Sequence, residues 1–291
     1  MEIQKIREVI CLSLVSDIKN AATTNNTKIQ TSDEAKIEKI LNRMFYCGKD
    51  IEEETKFVKQ VMTRGADTQE RIGLHASALI VSDKKFCIRE QVLSLIYKQL
   101  QGEQIDVGLR RIFEEGNAIH EKWQRLFIRA GYAKATDCDF TRMHKEYEVS
   151  FTPDVIVDLP EFGKMVVEIK SVNTFQFQKM NSHPSGEKQL QFYMYLTGIH
   201  QGFVLCDDKN TQNFKVFYKK YDQSVVAPFV ERCEQVQYFK NKVLNEHKMV
   251  KRCEGCNLYT CKRANECAMK DACYNQGIGR QLNSRYDNYP F

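Results

Sequence analysis

Residues 147–173, YEVSFTPDVIVDLPEFGKMVVEIKSVN, hold two runs rich in Val, Ile and Met, separated by Pro-Glu-Phe-Gly. Such runs around a tight turn predict a strand, a turn and a second strand, with Tyr147 to Val149 a candidate start for an earlier one. Everything else must be arranged around that hairpin. Upstream, Thr31 and Glu34 have capping-box spacing ahead of the stripe Ile37, Ile40, Leu41 and Met44, and a further helix is expected from Ile51 to Met62. Ile3, Ile6, Val9 and Ile10 have helical spacing as well. Residues 79–131 read as helical, and VGLRRIFEEGNAIHEKWQRLFIRAG puts Ile112, Gly116, Ile119, Trp123 and Phe127 on one face. Downstream come a loop, a helix over HPSGEKQLQFYMYLTG ending near Gly198, strands over GFVLC and FKVFYKKY, and a long helix over residues 224–248. This order predicts an α/β fold: a mixed sheet flanked by helices on both faces.

A chain of 291 residues can bury a full core without disulfide staples. No apolar run approaches the roughly 18 residues of a membrane span. The N-terminus lacks a small-residue cleavage site, so a cytoplasmic location and no membrane partner are expected. Charge is unevenly spread. The whole chain is +5, and residues 239–291 carry ten basic against five acidic residues, so the rest is neutral. Five of the eleven cysteines (Cys253, Cys256, Cys261, Cys267 and Cys273) fall in the same tail. Without a secretion signal, such a cluster points to a metal or an iron–sulfur centre rather than to disulfides. The expected organisation is a helical N-terminal extension (1–78), a core (79–250) and a Cys-rich, basic closing segment (251–291).

The candidate chemistry lies on the hairpin. Asp154 stands near the start of one strand; Glu168 and Lys170, two apart on the next, share a face. Two carboxylates offer hard oxygen ligands for Mg²⁺ or Mn²⁺, and the Ile169 carbonyl is a further one. The lysine can orient an attacking water or stabilise developing charge. A cross-strand ion pair is the bland alternative. Charge in so apolar a strand, however, needs a partner or a metal.

Pro153-Asp154, thirteen residues, then Glu168-Ile169-Lys170 resembles the signature of the PD-(D/E)xK nuclease superfamily. Further residues resemble its RecB-like exonucleases. His120, in GNAIHEKW before the strands, matches that branch's metal-binding histidine. Gln189 and Tyr193 match its Gln-x-x-x-Tyr helix, although Gln191 and Tyr195 have the same spacing. Ser171 directly follows the lysine. The cysteines resemble the four-cysteine iron–sulfur group, which includes CRISPR-associated exonucleases, AddB-type nuclease domains and phage relatives. Cys87, followed two residues later by Arg89, matches the early ligand. Cys253 and Cys256 match two late ones, and Cys261 the last, after four residues rather than five. Cys267 and Cys273 are alternatives for that position.

The resemblance implies a restriction-endonuclease-like core with a C-terminal cluster-binding segment. It implies a divalent-metal-dependent DNA exonuclease acting on single strands or free ends. His120, Asp154, Glu168 and the Ile169 carbonyl would hold Mg²⁺ or Mn²⁺; Lys170, Gln189 and Tyr193 would serve the reaction; Cys87, Cys253, Cys256 and Cys261 would hold a structural [4Fe–4S] cluster, with zinc as the alternative. Lys251, Arg252, Lys262 and Arg263 are candidate phosphate contacts, and Phe175, Phe177 and Phe192 candidate stacking platforms for bases. No helicase P-loop is present, so a helicase, CRISPR-adaptation or phage recombination partner would supply strand opening. A nuclease-like fold that only binds DNA or a partner, and a zinc-stapled structural protein, are the other readings.

Overall fold

The computed structural model describes residues 31–46, 50–63, 74–96 and 107–246, together with 248, 250–252, 256, 264, 267 and 269–274. The expected helix near Ile3 to Ile10, and Cys253, Cys261, Lys262 and Arg263, lie outside the described residues.

A four-stranded sheet organises the molecule. Its strands are β4 (Val155–Leu159), β5 (Gly163–Val172), β6 (Gln201–Asp208) and β7 (Phe214–Lys220), in the order β4-β5-β6-β7. β4 and β5 form the expected antiparallel hairpin, β5 and β6 run parallel, and β7 returns antiparallel. Alternate residues of β5 and β6 face opposite ways, and both faces are covered. Val166, Val172, Val204 and Cys206 pack against Leu190, Phe192 and Met194 of α7 (Pro184–Thr197) and Val226, Phe229 and Val236 of α8 (Gln223–Glu246). Met165, Val167, Ile169, Phe203 and Leu205 pack against Ile119, Trp123 and Phe127 of α5 (Val107–Arg129). Two-sided burial explains why β5 is apolar at nearly every inner position.

The N-terminal helical layer closes that second face. α1 (Ser32–Met44) starts at the expected capping box, in which Thr31 Oγ1 accepts from the Glu34 N–H and Glu34 accepts from the Thr31 N–H. Its Ile37 and Leu41, with Phe57 of α2 (Ile51–Thr63), join the core under the sheet. Buried Glu54 of α2 pairs with Arg125 and Arg129 of α5, tying the layer to the helix that carries His120.

Four details depart from the sequence reading. Leu74–His75 is a strand, β1, not helix; it pairs in parallel with β3 (Val149–Phe151), which pairs in turn with β2 (Arg142–His144). Two or three residues are too short to show a period. β1 is followed by a single helical turn, α3 (Ala76–Leu79), and then α4 (Ile88–Ile96). The expected loop after β5 contains a short helix, α6 (Thr174–Lys179), capped by Asn173. Finally, the stripe on α5 is buried only from Ile119 onward; Ile112 is 60% exposed, because the helix outruns the sheet beneath it.

Candidate active site

β4 begins at Val155, paired with Val167, so Asp154 sits one residue before the pairing starts while β5 continues past it. The N–H of Ile169, left unpaired by the missing strand, donates to Asp154 Oδ2 at 2.6 Å. The N–H and C=O of one strand residue point to the same edge, so the Ile169 carbonyl also faces this gap. Glu168 and Lys170 share the face covered by α7. From across the gap α5 brings His120, whose Nδ1 lies 3.3 Å from Asp154 Oδ1. Lys170 Nζ stands 2.5 Å from Glu168 Oε1 and donates to Gln189 Oε1 at 3.2 Å; Gln189 Nε2 donates to the Tyr193 hydroxyl at 3.1 Å. His120, Asp154, Glu168, Lys170, Gln189 and Tyr193 therefore form one connected group.

Gln191, at the competing register, has different partners. Its Nε2 donates to the Lys220 carbonyl and its Oε1 accepts from the Asp222 N–H, so it fastens α7 to the end of β7. Tyr195 stacks against His144 and Phe192, away from the carboxylates.

Electrostatics set Glu168 apart. It is 1% exposed; Oε2 has no hydrogen-bond partner, and Oε1 meets only Lys170. Among the described residues, the ammonium of Lys170, close to Oε1, is the one charged group that compensates it directly. Burial, and then the nearby Asp154 charge, push the Glu168 carboxyl up to about 8 against the pull of Lys170. Burial also works against the charged forms of His120 and Lys170. In both it is outweighed: Asp154 raises the histidine, and Glu168 raises the lysine. Of the two acids the site favours Glu168 as the neutral one: Asp154 is stabilised by the Ile169 N–H and His120, whereas Glu168 is the more deeply buried and has one oxygen unpartnered. A divalent cation would compensate that oxygen, and one imidazole, two carboxylates and a carbonyl suit a hard ion such as Mg²⁺ or Mn²⁺. As they stand, these heads bond to one another; among the described residues no three His, Cys, Asp or Glu side chains are spaced to grip an ion outright.

Two supporting residues escaped the sequence reading. Gln124, 1% exposed and one helical turn after His120, donates from Nε2 to the Asp154 carbonyl at 2.7 Å. The Asp139 N–H donates to the same oxygen at 3.1 Å. The i, i+4 spacing from His120 was the available signal for Gln124.

Four of the cysteines meet beside the start of α4. Cys87, Cys256, Cys267 and Cys273 line one small cavity of about 20 Å³, with Glu90 and Tyr274. Arg89 Nε donates to Cys273 Sγ at 3.1 Å and Nη2 to the Cys273 carbonyl, and Cys256 Sγ lies 3.3 Å from the Tyr274 hydroxyl. Burial pushes the Cys267 thiol up to about 11. Arg252 donates to the Cys273 carbonyl and lies over the Tyr274 ring. Of the three phenylalanines, Phe177 and Phe192 belong to the core, and only Phe175 is exposed, with Lys179 Nζ 3.7 Å over its ring.

No family model and no curated protein matches this chain. Among solved structures it is similar to SSO0001 (15% identity, 76% of this chain and 95% of that one, TM-score 0.44). It is also similar to LHK-Exo in complex with dAMP, an alkaline exonuclease from Laribacter hongkongensis (18%, 60% and 94%, TM-score 0.41). A third is a phage-related exonuclease from Haemophilus somnus 129PT (14%, 63% and 100%, TM-score 0.39).

Proposed function

We propose that the protein is a divalent-metal-dependent deoxyribonuclease that hydrolyses phosphodiester bonds at DNA ends. The observation that carries this reading is the buried carboxylate of Glu168, its Oε2 without a hydrogen-bond partner and its Oε1 met only by Lys170, set against Asp154 and His120 in a gap at the sheet edge. A buried structural ion pair normally has both oxygens satisfied; here Oε2 is left over, as suits a ligand for a cation. His120, Asp154, Glu168 and the Ile169 carbonyl would hold Mg²⁺ or Mn²⁺, which when bound activates water and screens phosphate charge. The chain's own residues do the rest. Asp154 is held by the Ile169 N–H and, through its carbonyl, by Gln124, so its carboxylate cannot swing out of the gap. Lys170, held by Glu168 and Gln189, presents an ammonium that orients the attacking water and stabilises charge on the phosphoryl oxygens. Tyr193, buried and with its hydroxyl pushed up by burial, stays protonated and keeps Gln189 in place.

Cys87, Cys256 and two further tail cysteines would hold a structural [4Fe–4S] cluster, with zinc as the alternative. The supporting observation is the thiol-lined cavity joining α4 to the tail. Soft thiolate donors suit either. Iron, zinc and acid-labile sulfide analysis after anaerobic purification separates the two.

The test of the activity is cleavage of end-labelled single- and double-stranded DNA with Mn²⁺. Wild-type protein is expected to release nucleotides from ends, and Asp154→Ala and Lys170→Ala to be inactive. Full activity in those variants would refute the assignment.

A further inference from the structure

α7 opens in an unusual way. Its N-cap is His183, where Ser, Thr, Asp and Asn are the usual choices. The imidazole Nδ1 accepts from the Gly186 N–H at 3.0 Å, and the His183 N–H donates to Glu187 Oε1 at 3.3 Å. Lys219 holds the Glu187 carboxylate from β7 at 3.0 Å. The Gly186 N–H thus fixes the ring, and Glu187, itself held from β7, fixes the His183 backbone. The ring is also pressed against the site. A Cβ on Gly186 would lie 2.8 Å from His183 Nδ1 and 3.5 Å from Lys170 Cε, so only glycine lets the ring and the lysine stem approach the same point. With Nδ1 accepting, the neutral ring carries its proton on Nε2. That atom has no partner among the described residues and is not sealed from solvent. Burial, and then the Lys170 charge, hold the imidazole below its ordinary pKa, which keeps this tautomer neutral.

We infer that His183 Nε2–H is a substrate contact, donating a hydrogen bond to a phosphate oxygen of the DNA strand next to the one being cleaved. A serine or asparagine would cap α7 as well; neither reaches past the cap as an imidazole does. The neutral donor adds a directed contact beside Lys170 without adding a second buried positive charge. The inference rests on the nuclease reading above.

The test compares wild type, His183→Ser and His183→Ala on end-labelled single-stranded DNA with Mn²⁺. His183→Ser keeps the cap, so its thermal midpoint should match wild type, whereas kcat/KM should fall about ten- to a hundred-fold, as for loss of a hydrogen bond to a charged group. His183→Ala should lose both. Substrates with one neutral methylphosphonate linkage, moved stepwise from the cleaved end, locate the contact: at one position the penalty seen with wild type should be largely absent with His183→Ser. Wild-type kcat/KM in His183→Ser, or equal penalties for both proteins at every linkage, would reduce His183 to a cap and overturn the inference. A wild-type protein that cleaves nothing would overturn the nuclease reading itself, a result distinguishable from either.

Discussion

Glu168→Gln should stabilise the metal-free protein while abolishing its activity. Glutamine has the shape of the neutral acid, and the neutral acid is what the site favours without a cation. The unfolded chain ionises this carboxyl near 4.5, the native protein only near 8. Below pH 4.5 both states hold the proton, and the group contributes nothing. Between 4.5 and 8 the unfolded state loses the proton while the native state keeps it, so stability falls as pH rises, by about 1.4 kcal/mol for each pH unit. Above 8 both are ionised and the cost levels off, on the order of 5 kcal/mol. Urea unfolding in divalent-free buffer should therefore show the two proteins within about 1 kcal/mol of each other at pH 5, with the variant ahead by several kcal/mol at pH 8. Added Mn²⁺ should raise the wild-type midpoint by mass action and leave that of the variant nearly unchanged. Cleavage by the variant should fall by at least about a hundred-fold. Parallel stability curves from pH 5 to 8, or a variant that is less stable at pH 8, would refute the argument that burial outweighs Lys170 at Glu168.

Gln189→Leu should reduce cleavage about tenfold or more with little change in stability, because it frees Lys170 and Tyr193, whereas Gln191→Leu should cost about 1–3 kcal/mol by orphaning the Lys220 carbonyl and the Asp222 N–H; thermal melts and cleavage rates on both variants check this pair. Gly202→Ala puts a Cβ 2.3 Å from the Val166 carbonyl oxygen and 2.8 Å from Leu190 Cδ1. Backbone cannot yield there, so a loss of about 3 kcal/mol or more is expected in urea unfolding. Trp123→Phe removes the indole N–H that donates at 2.7 Å to the fully buried Asp207, whose Oδ1 already lacks a partner; about 2 kcal/mol should be lost by the same measurement.

What the sequence made legible follows from how near along the chain each relation lies. Asp154, Glu168 and Lys170 belong to one hairpin, and its register follows from two apolar runs and a turn. Once Val155 faces Val167, the acid before the first strand must meet the second strand beyond its last partner. The helix from Thr31 is written in a capping box and a stripe for the same reason, since all its determinants lie within one or two turns. Periodicity marks which side of a helix is apolar but not how far its neighbour extends, so Ile112 and Ile119 look alike in the sequence and differ completely in burial. β1 and β2 escape because two or three residues have no period, and β1 is held by a partner far away, Leu74 by Val149 across the intervening helices. The choice between Gln189 and Gln191 is likewise illegible locally. Both spacings are equal on the helix, and it is the end of β7 that claims one of them and leaves the other to Lys170. His183 is the reverse case. Its position before Pro184 is plain in the sequence, yet its meaning depends on a glycine three residues on and a lysine thirteen residues back meeting at one point. The site is therefore read best where covalent connection does the positioning. It must be seen in three dimensions where packing does.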